Sequence, residues 1–140
     1  PIYGEGKQIR DWLFVEDHVK ALYLVINKGN IGESYNIGAR NEKSNIEIVH
    51  MICDILDDLV PIQSSHLQSY KELICFVEDR PGHDFRYAID PSKVNNEIGW
   101  SPKESFQTGV MKTVLWYLNN KSWCKNIQDR SYSQNKRKGL

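Results

Sequence analysis

The sequence has no excess of charge of either sign: 18 lysines and arginines stand against 18 aspartates and glutamates in 140 residues. A dedicated nucleic-acid binder carries a strongly basic face, so the balance excludes that class. The one basic cluster, Lys136-Arg137-Lys138, reads as a solvated tail. Cysteine is scarce. Cys53, Cys75 and Cys124 are odd in number, widely spaced and form no C-x-x-C, which excludes a disulfide framework or a zinc site and points to a reduced, cytoplasmic setting. Long apolar runs are missing as well. The longest, Ala21 to Ile26, is far too short to span a bilayer, and no signal peptide is visible. Nor is there an initiator methionine. Pro1 opens inside a turn-like stretch, and the expectation is a piece of a longer protein.

Two familiar motifs are almost present and fail on physical grounds. Gly4 and Gly6 begin a G-x-G-x-x-G pattern, but Ile9 occupies its third glycine position, so no dinucleotide-binding loop exists here. Tyr3 and Lys7 match Y-x-x-x-K, a pair that works only on one face of a helix. Gly4 and Gly6 intervene, each disfavouring helix by about 1 kcal/mol, and the match is set aside. His18, His50 and His66 have no partner at metal-ligand or catalytic spacing.

What is present is an alternation of short strands and helices. Arg10 to Val15 is aromatic and β-branched and reads as a strand. Asp17 reads as the cap of a helix carrying Val19, Leu22, Tyr23 and Ile26, closed by Gly29 as a C′ residue. Ser34 to Ile37 reads as a second strand. Ser44 to Glu47 has the S-x-x-E form of a capping box, opening a helix that buries Ile48, Ile52, Ile55 and Leu59 until Pro61 stops it. Residues 61–72 are a polar connector without a pattern, and Leu73 to Val77 is a continuous apolar strand. Asp90-Pro91 starts a short helix with Val94 and Ile98 inward and Gly99 at its end. A further helix from about Ser105 to Asn119 turns Phe106, Val110, Val114, Tyr117 and Leu118 to its apolar side. The expected class is α/β, with three or four short strands and about four helices.

Three features point to anion binding. Arg10 stands at a strand start and offers a bidentate fork. Asn45 stands at a helix N-terminus, where free N–H groups and a partial positive charge gather. Arg80 and His83 flank Pro81-Gly82, a turn in which proline presets φ and glycine permits positive φ. A purely structural alternative stays open at this point: Arg10 pairing with Asp11 or Glu16, and Arg80 with Asp79 or Asp84.

The runs PIYGEGKQIRDWLFVEDHVKAL, GESYNIGARNEKSNIEIV, DRPGHDFRYAIDPSKV and EIGWSPKESFQTGV together resemble the C-terminal part of the dTDP-glucose dehydratases, a branch of the extended short-chain dehydrogenase/reductase family. RDW with VEDH alone matches the wider set of epimerases and dehydratases; the second and third runs are the more specific. The resemblance covers residues 1–127 and leaves 128–140 as an expected disordered tail. It implies a C-terminal nucleotide-sugar-binding domain whose N-terminal Rossmann partner, bearing NAD and the catalytic groups, is not in this chain. It places Pro1 and Tyr3 against the base, Arg10 and Arg80 at the diphosphate, and Asn45 and His83 near the ribose and phosphates. No catalytic residue and no metal ligand is implied within the chain. The parent would be a soluble homodimeric lyase with no membrane or nucleic-acid partner. By an internal redox cycle on NAD it would convert dTDP-glucose to its 4-keto-6-deoxy product, a rhamnose precursor. Without the Rossmann half, Trp12, Phe14, Leu22 and Ile26 would be left under-buried. The alternatives are the same part of another nucleotide-sugar epimerase or dehydratase, or a non-catalytic binding module.

Overall fold

A computed structural model describes residues 1–63 and 66–131. Among them the chain forms four short strands, β1 (Ile2–Tyr3), β2 (Ile9–Asp11), β3 (Glu42–Ser44) and β4 (Phe76–Val77). Five helices accompany them: α1 (Val15–Lys28), α2 (Asn45–Leu59), α3 (Ser92–Ile98), α4 (Phe106–Asn119) and α5 (Lys121–Ser131), with a 3₁₀ turn at Tyr70–Leu73. β1 pairs with β4 in parallel, and β2 with β3 antiparallel, so the two ladders are separate. This is the expected α/β class, with one helix more than the sequence pattern suggested. No described helix is long and apolar enough to cross a membrane.

The first expected strand ends early. β2 stops at Asp11, and Trp12 leaves the ladder to donate from its backbone N–H to Asn41 O at 3.1 Å and from its indole Nε1 to Lys43 O at 3.1 Å. α1 then begins at Val15, with Phe14 as its N-cap. Asp17 is therefore not the cap. It lies inside the first turn, 1% exposed, and its Oδ2 accepts the backbone N–H groups of Lys103 and Glu104 at 3.0 and 2.9 Å. A buried carboxylate is tolerable there because two peptide donors replace its water. Gly29 ends α1 in an extended conformation rather than the left-handed one expected of a C′ glycine. Its small size matters instead, since a Cβ there would stand 3.1 Å from the Tyr35 ring.

The main core joins α1 to α3. Ala21, Val94, Ile98 and Trp100 are buried together, with Leu13, Leu24, Val25, Tyr35 and Ile37 packed around them. Segment 34–37 contributes Tyr35 and Ile37 to this core but pairs with no strand among the described residues. An alternating sequence supplies a face, and a strand also needs a neighbour's hydrogen bonds. The apolar positions read from α1 point the other way: Val19, Leu22, Tyr23 and Ile26 are all exposed, Ile26 by 82%. Trp12 and Phe14 are half-buried.

α2 follows its pattern more closely. Ser44 Oγ accepts from Glu47 N while Glu47 Oε2 accepts from Ser44 N at 2.8 Å, the reciprocal capping box. Ile48, Cys53 and Ile55 are buried, Ile52 is half-buried and Leu59 is exposed. The connector after Pro61 holds a second capping box that the sequence reading passed over, Ser69-Tyr70-Lys71-Glu72. Asp57 of α2 fastens it by accepting from Ser69 Oγ at 2.6 Å and Tyr70 N at 2.8 Å. These bonds from the Ser69 hydroxyl and Tyr70 N–H hold the Asp57 carboxyl below its ordinary range. Leu73 joins this turn, leaving only Phe76–Val77 as strand, both exposed. α3 starts one residue later than expected, at Ser92, with Asp90 Oδ1 accepting from Ser92 N and Oγ. Gly99 closes it at φ 77°, as expected, and α4 begins at Phe106 with Ser105 as its cap, within one residue of the expected start. α5 continues through Ser131, past the expected start of the tail at 128; residues 132–140 lie outside the described residues.

Candidate functional site

Every sequence-predicted site residue hangs on the first eleven residues of the chain. Pro1 precedes β1 and Tyr3 ends it; both are exposed. The turn that follows uses Gly4 and Gly6 at φ 56° and 68°, which confirms that Tyr3 and Lys7 share no helix. β2 receives two other segments, and β1 a third. β3 brings Asn45 alongside, through Asn45 N donating to Gln8 O at 3.0 Å. Ile9 N donates to Phe85 O at 2.7 Å and Ile9 O accepts from Tyr87 N at 3.0 Å, which zips the stretch after His83 onto β2. β1 holds β4, the strand just before Asp79 and Arg80. Two weak ladders thus carry one chemical cluster.

Within that cluster the structural pairings left open for the arginines do not form. Arg10 donates from Nη1 to Ile9 O at 2.7 Å and from Nη2 to Asp84 O at 2.9 Å, and its guanidinium carbon lies 4.4 Å from the centre of the Tyr87 ring. Carbonyls and a ring face orient a guanidinium without cancelling its charge. Among the described residues the Arg80 guanidinium has no hydrogen-bonded or ion-paired partner. Neighbouring cations differ. Arg86 is bound by both oxygens of Glu42 at 2.5 and 2.7 Å, and Arg40 is tied to Asp90 at 2.8 Å. Arg10 and Arg80 both act on the Tyr87 hydroxyl. Its donation to the Asp84 carboxylate pushes the phenol above its usual range, and the two guanidinium charges oppose that push. Both guanidiniums therefore lend positive charge to the surroundings of the Tyr87–Asp84 pair, Arg80 acting on the Asp79 carboxylate as well.

Asn45 occupies the expected helix terminus, but the terminus is closed. Of the four N–H groups that a helix start leaves free, Ser44 N goes to Glu47 Oε2, Asn45 N to Gln8 O, Ile46 N to Gly6 O at 2.9 Å and Glu47 N to Ser44 Oγ. The Glu47 carboxylate adds negative charge at the same spot. Backbone anion binding is excluded there, and only the half-buried Asn45 side chain is left to reach a ligand.

The Arg80–His83 turn has Gly82 at φ 68°, as expected. Asp79 organises it. One carboxylate oxygen, Oδ1, meets His83 Nδ1 at 2.7 Å and Arg80 N at 2.9 Å; the other, Oδ2, accepts from Gln8 Nε2 at 2.7 Å. The His83 ring holds the Asp79 carboxyl below the usual carboxylate range against a desolvation that pushes upward, with the Arg80 N–H adding to the effect of the ring. His83 is left with 8% of its side chain exposed. Sequence reading missed Gln8, Asp79 and Tyr87 as members of this cluster. Tyr87 had a signal, since it alternates with Phe85 and Ile89 beside the turn. Gln8 had none: a glutamine in a polar loop predicts nothing about burial.

Comparison with known proteins shows the family of the chain. The family model described as GDP-mannose 4,6 dehydratase matches residues 1–113. A curated dTDP-glucose 4,6-dehydratase of Neisseria meningitidis is 54% identical over 132 residues, 94% of this chain and 37% of the relative. The chain thus spans little more than a third of the length of the curated relatives it matches. Among solved structures, dTDP-glucose 4,6-dehydratase from Bacillus anthracis in complex with NAD superposes with a TM-score of 0.77 at 43% identity, covering 91% of this chain and 37% of that one. The enzyme of the same description from Streptomyces venezuelae, with NAD and TYD bound, gives a TM-score of 0.73 at 36% identity, covering 88% and 35%. With the family match running through both ladders, the arginine–histidine turn and most of α4, the chain belongs to the GDP-mannose 4,6 dehydratase family.

Proposed function

We propose that this chain is the substrate-holding part of a dTDP-glucose 4,6-dehydratase and that its cluster grips the nucleotide diphosphate. The observation that carries the reading is the pair of guanidiniums, Arg10 and Arg80, which form no ion pair with a carboxylate among the described residues and both lend positive charge around Tyr87. A diphosphate supplies the missing negative charge, and arginine forks match its oxygens. His83 and the Asn45 side chain add hydrogen bonds at the phosphates and ribose. Pro1 and Tyr3 provide an exposed apolar and aromatic surface for the base.

NAD, bound in the solved relatives, does not fit the residues of this chain. The space that Gly4 and Gly6 leave is filled from inside: a Cβ on Gly4 would stand 3.0 Å from Asp79 Oδ2, and one on Gly6 2.9 Å from Ile2. Both glycines thus serve internal packing, against Asp79 and Ile2. The elimination of water from dTDP-glucose belongs, in this reading, to a longer cytoplasmic, homodimeric parent, and the chain alone holds the nucleotide without turning it over. Titration of the 140-residue chain with dTDP, compared with Arg80→Ala and His83→Ala, tests the grip. Saturable binding that both substitutions weaken supports it. Equal affinity in all three proteins reduces the turn to a structural feature.

A further inference from the structure

Gln8 is a poor residue for stability where it stands. It is 7% exposed, its Oε1 has no hydrogen-bond partner among the described residues, and an orphaned buried acceptor costs about 1–3 kcal/mol. Two of its other polar groups are engaged in a definite pattern. The backbone carbonyl accepts from the Asn45 N–H, and Nε2 donates to Asp79 Oδ2. Asp79 Oδ1 in turn faces His83 Nδ1 at 2.7 Å. An ionised carboxylate only accepts, so the proton between the two sits on Nδ1. That leaves Nε2 as the ring atom able to meet a ligand. Gly4 makes the arrangement possible, because its missing side chain leaves the Asp79 carboxylate its place.

We infer that Gln8 and Asp79 are positioning residues for His83: the amide fixes the carboxylate, and the carboxylate fixes the ring and its tautomer so that Nε2 faces the bound nucleotide. The inference rests on the proposed diphosphate grip for its ligand, but the tautomer is a property of the chain by itself. Neutral Nε2 accepts from a ribose hydroxyl, and protonated Nε2 donates to a phosphate oxygen. Gln8 also joins the two halves of the site, because the same residue holds the start of α2 through its carbonyl.

Long-range proton–nitrogen NMR of the ¹⁵N-histidine-labelled 140-residue chain, at about pH 8.5 where an ordinary histidine is neutral, reads the tautomer directly. His83→Gln assigns the signals. The expected wild-type state is Nδ1–H. Gln8→Met removes the amide while keeping length and burial. It is expected to mix the tautomers and weaken dTDP binding about fivefold, one hydrogen bond's worth, with the thermal midpoint unchanged or raised because the orphaned acceptor goes with the amide. Asp79→Ala, which removes a surface-reaching carboxylate and every acceptor it offers the ring, is expected to lose the Nδ1–H preference altogether. An Nε2–H tautomer in the wild type, or an Nδ1–H tautomer retained in both variants, overturns the inference. If the tautomers behave as expected and the wild type binds no dTDP, the relay stands and the diphosphate reading falls.

Discussion

α1 and α2 are of nearly equal length and both carry apolar residues at helical spacing, yet they use them in opposite ways. α2 turns Ile48, Cys53 and Ile55 into the protein and packs against α4 and the 3₁₀ turn. α1 buries Ala21 and Asp17 against α3 and the 102–104 loop, and leaves Val15, Val19, Leu22, Tyr23 and Ile26 in the open. Periodicity reports which face is apolar. It does not report whether the surface that covers that face is encoded in the same chain. For α2 it is; for α1 nothing among the described residues covers it.

Substitutions separate the two helices, and the largest expected effect is in the covered one. Ile55→Ala in α2 is expected to destabilise the chain by about 2–4 kcal/mol, the range for a buried isoleucine, by denaturant unfolding. Asp17→Ala removes the acceptor of two buried peptide N–H groups and is expected to cost about 1–3 kcal/mol. Ser44→Ala breaks one side of the α2 capping box, with an expected loss of about 1 kcal/mol. Ile26→Ser on the open face of α1 is expected to stay within about 0.5 kcal/mol of wild type while reducing self-association at high concentration, read by sedimentation. A loss from Ile26→Ser as large as that from Ile55→Ala would erase the comparison.

The smallest effect is a pH difference at the corner where α2 meets the 3₁₀ turn. The Asp57 carboxyl is held below its ordinary range chiefly by the Ser69 hydroxyl, so the folded state favours the charged form. Its contribution is fully present above the unfolded carboxylate's titration, at about pH 4, and is lost as pH falls through the lower folded value. The stability gap between wild type and Asp57→Asn is therefore expected to shrink as pH is lowered below about 4. A gap that widened on acidification would reverse the sign of the effect.

The same comparison explains what could be read in advance. Elements closed by local chemistry were legible: the Ser44–Glu47 box, the start of α4 near Ser105 and the Gly99 stop all follow from short-range rules. A second box at Ser69–Glu72 obeys the same rule and went unread because its surroundings are polar. Elements that depend on a distant partner were not legible. Asp17 looks like a cap until Lys103 and Glu104 arrive, and the Ser34–Ile37 run looks like a strand until no neighbour does. In the site, arginine and histidine beside a Pro-Gly turn were visible as types. Which of them carries an uncancelled charge was not, since that depends on Glu42 reaching Arg86 rather than Arg10. The closed N-terminus of α2 was hidden for the same reason: Gly6 and Gln8 occupy it from the far side of a ladder.

In the proposed function, β1, β2 and their partner segments assemble a grip for a nucleotide diphosphate from Arg10, Arg80 and His83. Calorimetric titration of dTDP into the chain and into Arg10→Ala, Arg80→Ala and Arg86→Ala tests it most directly. Saturable binding is expected to weaken by about tenfold or more with loss of Arg10 or Arg80, each a charge-assisted contact worth about 1.5–3 kcal/mol, and to change least with loss of the Glu42-paired Arg86. Binding that is indifferent to Arg10 and Arg80, or that depends on Arg86 as strongly as on either, would contradict it.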